Sequence, residues 1–243
     1  MCERRFDLIA FDGDDTLWHN ERDYRHGRER FRAILGRIGI PLSEDDVEQR
    51  VNRTEVQNLR FYGYGVSSFV LSLIETAIQI TDGRITGREI SELLALAKSM
   101  LTSEVELFEG AREALEALSP VYPLLLITKG DLLHQRNKLD RSGLAPYFRD
   151  VEVVSHKTPG MYAEILGRYR VDPSRFLMVG NSPRSDILPV LDVGGWAIHV
   201  PAALSWAHEH DEVPEHATSR YRELKTLLDL AEAVRALGSG QRG

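Results

Sequence analysis

The sequence is poor in cysteine and in long apolar stretches. Its 243 residues include a single cysteine, Cys2, so a scaffold held by internal disulfides is excluded and a reducing compartment is favoured. No stretch reaches the roughly 18–20 apolar residues that a membrane-spanning helix needs. Residues 1–7 carry charge but no apolar signal core. We therefore expect a cytoplasmic protein with no membrane partner.

Basic residues are also fewer than acidic ones. The chain has 37 acidic and 30 basic residues and a net charge of −7, which argues against a nucleic acid as the partner. A small anionic ligand stays open, because a local pocket can be positive in an acidic protein. The hydrophobic share of 42% is enough for a sizeable core, which excludes disorder over the whole chain.

Short apolar runs of strand length alternate with helical patterns over much of the chain. This alternation predicts an α/β fold, a Rossmann-like parallel sheet with helices on both faces. In such folds the ligand lies beyond the carboxyl ends of the strands. The predicted strands are 6–11, 123–127, 151–154, 175–179 and 196–200.

Residues 18–103 interrupt this alternation, since they contain no convincing strand but several helical segments. Phe31, Ile34 and Leu35 have helical spacing, and the segment 86–89 has the spacing of a capping box. The insert is too long for an ordinary loop and needs a core of its own. We therefore predict an all-helical domain at 18–103, inserted after the first strand of a core formed by 1–17 and 104–243.

An acidic turn, Asp12-Gly13-Asp14-Asp15, follows the first predicted strand. Alternation along the chain places Asp12 and Asp14 on the same side. Two carboxylates this close repel each other unless one binds a proton or a cation lies between them, and Mg²⁺ is the simplest such cation. The alternative is a solvated acidic turn, since Asp and Gly are common turn residues.

Two further segments after predicted strands suit an anion. Thr128-Lys129-Gly130-Asp131 offers a hydroxyl, an ammonium and backbone N–H groups, although it can equally cap the next helix. Lys157 can neutralise a phosphate as a compact cation, but a lysine is more often simply exposed.

The last such segment is 180–186, Gly-Asn-Ser-Pro-Arg-Ser-Asp. Asp186 is a candidate metal ligand, and Asn181 is a candidate oxygen ligand or orienting group. Capping of the following helix by Ser182 or Ser185 is the alternative. Each of the four segments lies just after a predicted parallel strand, so we expect them to share one site.

These segments together resemble the motifs of the haloacid dehalogenase-like (HAD) hydrolase superfamily. The resemblance covers residues 5–17 and roughly 104–200, and the helical insert is similar to the family's C1 cap domain. The segments 11–17, 126–131, 157–159 and 180–186 resemble motifs I to IV in this order.

The resemblance implies a Mg²⁺-dependent phosphatase that hydrolyses a small phosphorylated metabolite. Asp12 would form an aspartyl-phosphate, and Asp14 would be the general acid and base. An alternative is a phosphomutase of the same superfamily or a catalytically weak binding or regulatory module, in each case as a monomer or homodimer. The implied metal ligands are Asp12, Asp14 and Asp186, and the implied phosphate-binding residues are Thr128, Lys129 and Lys157.

Two positions depart from the family pattern. Asp15 stands where many relatives have glycine, and Asn181 stands where the first acid of motif IV is often found. The second change leaves open whether Asn181 or Asp186 is the ligand in motif IV. A carboxylate at Asp14 is typical of phosphatases and mutases, so the resemblance disfavours a dehalogenase.

Overall fold

A parallel sheet of six strands lies at the centre of the larger part of the molecule. The computed structural model describes residues 4–204, 206–209, 211–213 and 219–239. Within that part of the chain the strands are β1 Leu8–Phe11, β2 Leu124–Lys129, β3 Asp150–Val154, β4 Phe176–Gly180, β5 Trp196–His199 and β6 Tyr221–Glu223. Their order in the sheet is β3-β2-β1-β4-β5-β6, so the first strand is central.

The predicted α/β core is confirmed, since all five predicted runs form strands. Both faces of β1 and β4 are buried, and this explains why these strands read as continuous apolar runs. The sixth strand, Tyr221–Glu223, was not predicted. It is short, polar and at the edge of the sheet, so it carries no apolar run.

The inserted domain is formed by four helices with their own core. The capping box predicted at 86–89 is present at the start of the fourth helix. Phe31, Phe69, Leu73 and Leu93 are fully or almost fully buried in this core. The helices are α1 Glu21–Arg37, α2 Glu44–Tyr62, α3 Val66–Ile80 and α4 Gly87–Leu101.

In the described part of the chain, five further helices cover the sheet: α5 Ala111–Leu118, α6 Leu132–Ser142, α7 Pro159–Tyr169, α8 Leu188–Asp192 and α9 Leu230–Ser239. Alternate residues of β1 point to opposite faces, with Ile9 in one apolar cluster and Leu8 in the other. The cluster of Ile9 includes residues of α5, α6 and α9, and that of Leu8 includes residues of α7 and α8.

The chain divides into two compact units. The helical unit comprises Arg22–Glu104 and Gly130–His134, and the sheet unit comprises the rest. The helical unit begins at Arg22 and not at the predicted residue 18, because residues 18–21 contact the turn after β1. Trp18 bridges to Asp14 and to Leu107 there. None of the described helices has the length and apolar character needed to cross a membrane.

Candidate active site

The four candidate segments meet at the carboxyl edge of the sheet. Asp12 directly follows β1, and Asn181 directly follows β4, which is hydrogen-bonded to β1. Thr128 lies near the end of β2 on the other side of β1, and Lys157 follows β3, the next strand outward. Because all these strands are parallel, their carboxyl ends bring the four segments to one edge.

Lys157 joins two of the predicted aspartates. Its Nζ lies 2.5 Å from Oδ1 of Asp12 and 2.6 Å from Oδ1 of Asp186. All three side chains are buried, and no more than 8% of any of them is exposed. Lys157 is therefore not the exposed lysine that its residue type alone would favour, and the structure brings segments 145 and 29 residues apart into contact.

The three buried charges are unbalanced. Two carboxylates share one ammonium, so the cluster of Asp12, Lys157 and Asp186 has an excess of one negative charge when all three are ionised. Burial raises the pKa of Asp12 to about 7; Lys157 opposes this rise and Asp186 adds to it. Burial acts to lower the pKa of Lys157, but the two carboxylates hold it above its usual range. A further cation beside Asp12 would therefore be stabilised.

The position of Asp186 depends on Gly180. Ser182 N donates to Oδ2 of Asp186 at 3.1 Å, and a Cβ on residue 180 would lie 2.3 Å from that oxygen. Only glycine leaves room for the carboxylate there. Ser182 also accepts from Ser185 N, so the capping alternative predicted for this segment is present together with the buried Asp186.

Thr16 connects Asp12 to Asn181. The Thr16 hydroxyl lies 3.1 Å from Oδ2 of Asp12 and 3.2 Å from Oδ1 of Asn181, and it accepts from Asn181 N at 3.0 Å. The amide oxygen of Asn181 therefore faces the same region as the second oxygen of Asp12. Sequence reasoning assigned no role to Thr16.

Asp14 is held by a different lysine. Its Oδ1 accepts from Trp18 Nε1 at 2.7 Å and from Lys138 Nζ at 2.5 Å, and its Oδ2 accepts from Gln135 Nε2 at 3.0 Å. Burial acts to raise the pKa of Asp14, but Lys138, Trp18 and Gln135 together hold it below its usual range. Gly13 makes this turn possible, since a Cβ there would lie 2.7 Å from the Trp18 ring.

Sequence reasoning missed Gln135 and Lys138. The available signal was their spacing of three residues on the helix that follows β2, which places both side chains on one face. A polar residue and a lysine on a helix are usually on a solvated face, so the spacing alone was not informative.

Asp15 has a structural role that explains its departure from the family pattern. Its backbone has φ 59°, in the left-handed region that aspartate tolerates better than most residues. Its carboxylate accepts from the backbone N–H groups of Asn20 and Glu21 at 2.9 and 3.0 Å, at the start of α1. Burial raises the pKa of Asp15 to about 7, against the effect of these hydrogen bonds.

Thr128 is buried, and its hydroxyl is linked to Asp14 through a shared amide. Gln135 Nε2 donates to Thr128 Oγ1 at 2.7 Å and also contacts Asp14. The helix-cap alternative predicted for this segment is present too, because Asp131 Oδ1 accepts from His134 N at 2.9 Å.

Lys129 is paired within the fold. Its Nζ lies 2.5 Å from Oε1 of Glu209 and 3.0 Å from Oγ of Ser185. Burial acts to raise the pKa of Glu209, but Lys129 and the hydroxyls of Ser185 and Ser182 lower it to about 2. Glu209 lies in a short 3₁₀ helix outside every motif, so no sequence pattern indicated this pair. The predicted contact of Lys129 with phosphate stays a prediction.

The donor atoms at this edge suit a magnesium ion. Among the described residues no group of three or more His, Cys, Asp or Glu side chains forms a metal cluster. Mg²⁺, however, is usually held by one or two carboxylates with several waters. The carboxylates of Asp12 and Asp186 and the amide oxygen of Asn181 are hard oxygen donors of this kind, and the excess negative charge fits a cation.

Comparison with known proteins identifies the class of this chain. The sequence model of the haloacid dehalogenase-like hydrolase family matches residues 6–194. A haloacid dehalogenase-like family hydrolase from Xanthomonas campestris is 41% identical, with a TM-score of 0.85 over 97% of this chain and 93% of its own. The chain belongs to the haloacid dehalogenase-like hydrolases.

Two other similar proteins are more distant. Human N-acylneuraminate-9-phosphatase is 28% identical over 240 residues, which are 92% of this chain and 94% of the relative. A HAD hydrolase of Bacillus subtilis, solved with bound magnesium, has a TM-score of 0.66 at 19% identity, over 96% of this chain and 100% of its own; this likeness shows the fold alone. The prediction that the chain is a hydrolase of the HAD superfamily is confirmed, and two similar proteins, from human and from Rattus norvegicus, are phosphatases by name.

Proposed function

We propose that this protein is a Mg²⁺-dependent phosphatase that hydrolyses a small phosphorylated metabolite through an aspartyl-phosphate on Asp12. The observation that carries the proposal is the buried contact of Lys157 with both Asp12 and Asp186 at the carboxyl edge of the sheet. A carboxylate, an ammonium and a hydroxyl at one edge meet the needs of phosphoryl transfer, which are positioning and compensation of negative charge.

The reaction has two steps. In the first, a carboxylate oxygen of Asp12 forms a bond to phosphorus while the bond to the leaving oxygen breaks, and Asp14 in its protonated form gives that oxygen its proton. The contacts of Asp14 hold its pKa below the usual range, and the negative charge of the bound phosphate acts in the opposite direction and favours the protonated form. In the second, Asp14 takes a proton from water, and the water oxygen displaces Asp12 from phosphorus. Inorganic phosphate leaves, and both aspartates return to their initial states.

Lys157 and Thr128 would hold the oxygens of the transferring group. Lys157 already has its ammonium beside Asp12, so it is placed to compensate the charge that arrives with the phosphate. Lys129 Nζ contacts Glu209 and Ser185, so a contact with the phosphate would compete with these two partners.

The metal would be held by the carboxylate of Asp12, the backbone carbonyl of Asp14 and Asp186, with Asn181 as the competing ligand. A bound Mg²⁺ would supply charge compensation at the phosphate oxygens. Oδ1 and Oδ2 of Asp186 each accept one hydrogen bond, from Lys157 and from Ser182 N, so each oxygen keeps an acceptor position for the metal. Oδ1 of Asn181 accepts from the Thr16 hydroxyl and likewise keeps one position.

Magnesium titrations separate the two candidate ligands. We expect Asp186→Ala to raise the Mg²⁺ concentration for half-maximal turnover by about 10–100-fold, because a ligand and a buried charge are lost. Asn181→Ala is the matched variant and is expected to change this concentration by less than about 3-fold. An unchanged titration for Asp186→Ala with a shift for Asn181→Ala would transfer the ligand role to Asn181.

A panel of phosphate esters tests the function itself. It should contain sugar phosphates, nucleoside monophosphates and phosphorylated sugar acids, including N-acylneuraminate 9-phosphate because of the human relative. We expect release of inorganic phosphate from at least one ester with Mg²⁺ and none with EDTA. An isomerised ester with little free phosphate would indicate the mutase instead, and no reaction with any ester would favour a binding or regulatory module.

A further inference from the structure

The proposed acid and base, Asp14, is held by three donors that approach its two oxygens unequally. Oδ1 accepts from Lys138 Nζ and Trp18 Nε1, whereas Oδ2 accepts only from Gln135 Nε2. Each carboxylate oxygen has about two acceptor positions. Oδ1 is therefore saturated, and Oδ2 keeps one position for a proton or a water molecule.

Two of the three donors come from a single helix. Gln135 and Lys138 are three residues apart on α6, so they share a face of that helix. Both are buried, with exposures of 2% and 7%. Trp18 belongs instead to the turn after β1 and is fully buried. Asp14 is thus fixed from two independent elements of the sheet unit.

A lysine at position 138 would destabilise the folded protein if its ammonium had no partner. An ammonium this deeply buried needs close partners to offset its loss of hydration. Its partners are Oδ1 of Asp14 at 2.5 Å and Oδ1 of Asn20 at 2.7 Å. Lys138 approaches the proposed acid and base, whereas Lys157 approaches the proposed nucleophile. Each of the two aspartates therefore has its own lysine.

Gln135 couples Asp14 to the phosphate-binding segment. Its amide nitrogen lies 3.0 Å from Asp14 Oδ2, 2.7 Å from Thr128 Oγ1 and 2.8 Å from the Lys129 carbonyl oxygen. A carboxylate oriented from the same amide as the Thr128 hydroxyl keeps a fixed distance to the group that would hold the substrate. Such fixed orientation accelerates proton transfer, because the donor must lie within hydrogen-bond distance of the leaving oxygen.

We propose that Lys138 and Gln135 are positioning residues that select Oδ2 of Asp14 as the oxygen that exchanges the proton. The proposal rests on the phosphatase function proposed above. Oδ2 gives its proton to the leaving oxygen as the ester bond breaks, and it receives a proton from the water that then attacks phosphorus. Lys138 itself neither gains nor loses a proton and does not touch the substrate.

The leaving group of the ester reports whether Lys138 acts in this way. An alkoxide needs protonation as it departs, whereas p-nitrophenolate departs without it. For Lys138→Met we expect kcat to fall by about 100-fold with the best sugar phosphate of the panel and by less than about 5-fold with p-nitrophenyl phosphate. We expect KM for both esters to change by less than about 3-fold, because ground-state binding is not altered.

A double-mutant cycle tests whether Lys138 acts through Asp14. In the Asp14→Asn background, Lys138→Met should lower kcat by less than about 2-fold, since the group that it positions has already been removed. Lys225→Met is the matched control, because Lys225 is an exposed lysine of the same unit, and it should retain full activity. If Lys138→Met fails to fold, Lys138→Gln keeps a donor without the charge and should show the same dependence on leaving group.

The possible results are distinct. Equal losses of kcat with both esters, an additive loss in the double variant, or no loss at all would overturn the positioning role while leaving the phosphatase intact. Failure of the wild type to hydrolyse either ester would overturn the proposed function and this inference together.

Discussion

Asp12→Asn is expected to lower kcat by about 10⁴-fold or more while leaving the fold intact. An amide at this position cannot form the acyl phosphate, and no other carboxylate in the described part of the chain is placed to replace it. Asp186 has one oxygen on Lys157 and the other on Ser182 N, and Asp14 is held by Lys138. Steady-state phosphate release with the best ester of the panel measures the loss.

The same substitution should not destabilise the protein. Burial and the charge of Asp186 raise the pKa of Asp12 to about 7 despite Lys157. The ionised carboxylate therefore lowers the stability of the native state relative to the unfolded state. Asparagine has nearly the same shape and removes that charge, so we expect an unchanged or higher melting temperature. This outcome separates loss of the nucleophile from loss of the fold.

Two variants control the experiment. Asp12→Ala cannot regain a carboxylate by deamidation, so it should be as inactive as Asp12→Asn. Asp192→Asn changes an exposed aspartate of the same unit and should retain full activity. Turnover by Asp12→Ala close to that of the wild type would remove Asp12 from the role of nucleophile, and the proposed aspartyl-phosphate with it.

The parts of the fold that sequence predicted are those set by local patterns. Buried parallel strands such as β2 and β4 must be apolar on both faces, so they appear as continuous runs. The capping box of Thr86 and Glu89 is likewise a local pattern, since the two residues are three positions apart. Strand β6 lies at an edge and needs no apolar run, so nothing in its three residues distinguishes it from a loop.

The same distinction separates the site residues that the sequence predicted from those that it did not. Asp12, Lys157 and Asp186 each follow a strand, and the parallel topology is enough to bring such positions to one edge. Lys138 lies on helix α6 and Glu209 lies in a short 3₁₀ helix after the last predicted strand, and charged residues in such elements are normally solvated. Their contacts with Asp14 and Lys129 depend on how those elements pack, which no short-range pattern encodes.

Lys157→Met is expected to destabilise the protein by about 3–5 kcal/mol near pH 8 and to abolish turnover. The substitution leaves the carboxylates of Asp12 and Asp186 buried with no ammonium between them, and removing one partner of a buried ion pair leaves a charge without compensation. Methionine keeps the side chain to Cε and loses only the terminal ammonium position, so the loss of stability reports mainly the missing charge. Urea denaturation measures the free energy of unfolding.

The destabilisation should depend on pH in a direction that the carboxylates determine. The native pKa of Asp12, about 7, lies above its ordinary value of 3.8, so the native state binds more protons than the unfolded state between these values. Stability therefore rises as pH falls through this window. Without Lys157, which lowers that pKa, the window extends to higher pH. The difference from the wild type should consequently be largest near about pH 9 and smaller near about pH 5.5. Lys225→Met should show no such trend, and a loss below about 1 kcal/mol, or one independent of pH, would show that the buried ammonium is not what balances the two carboxylates.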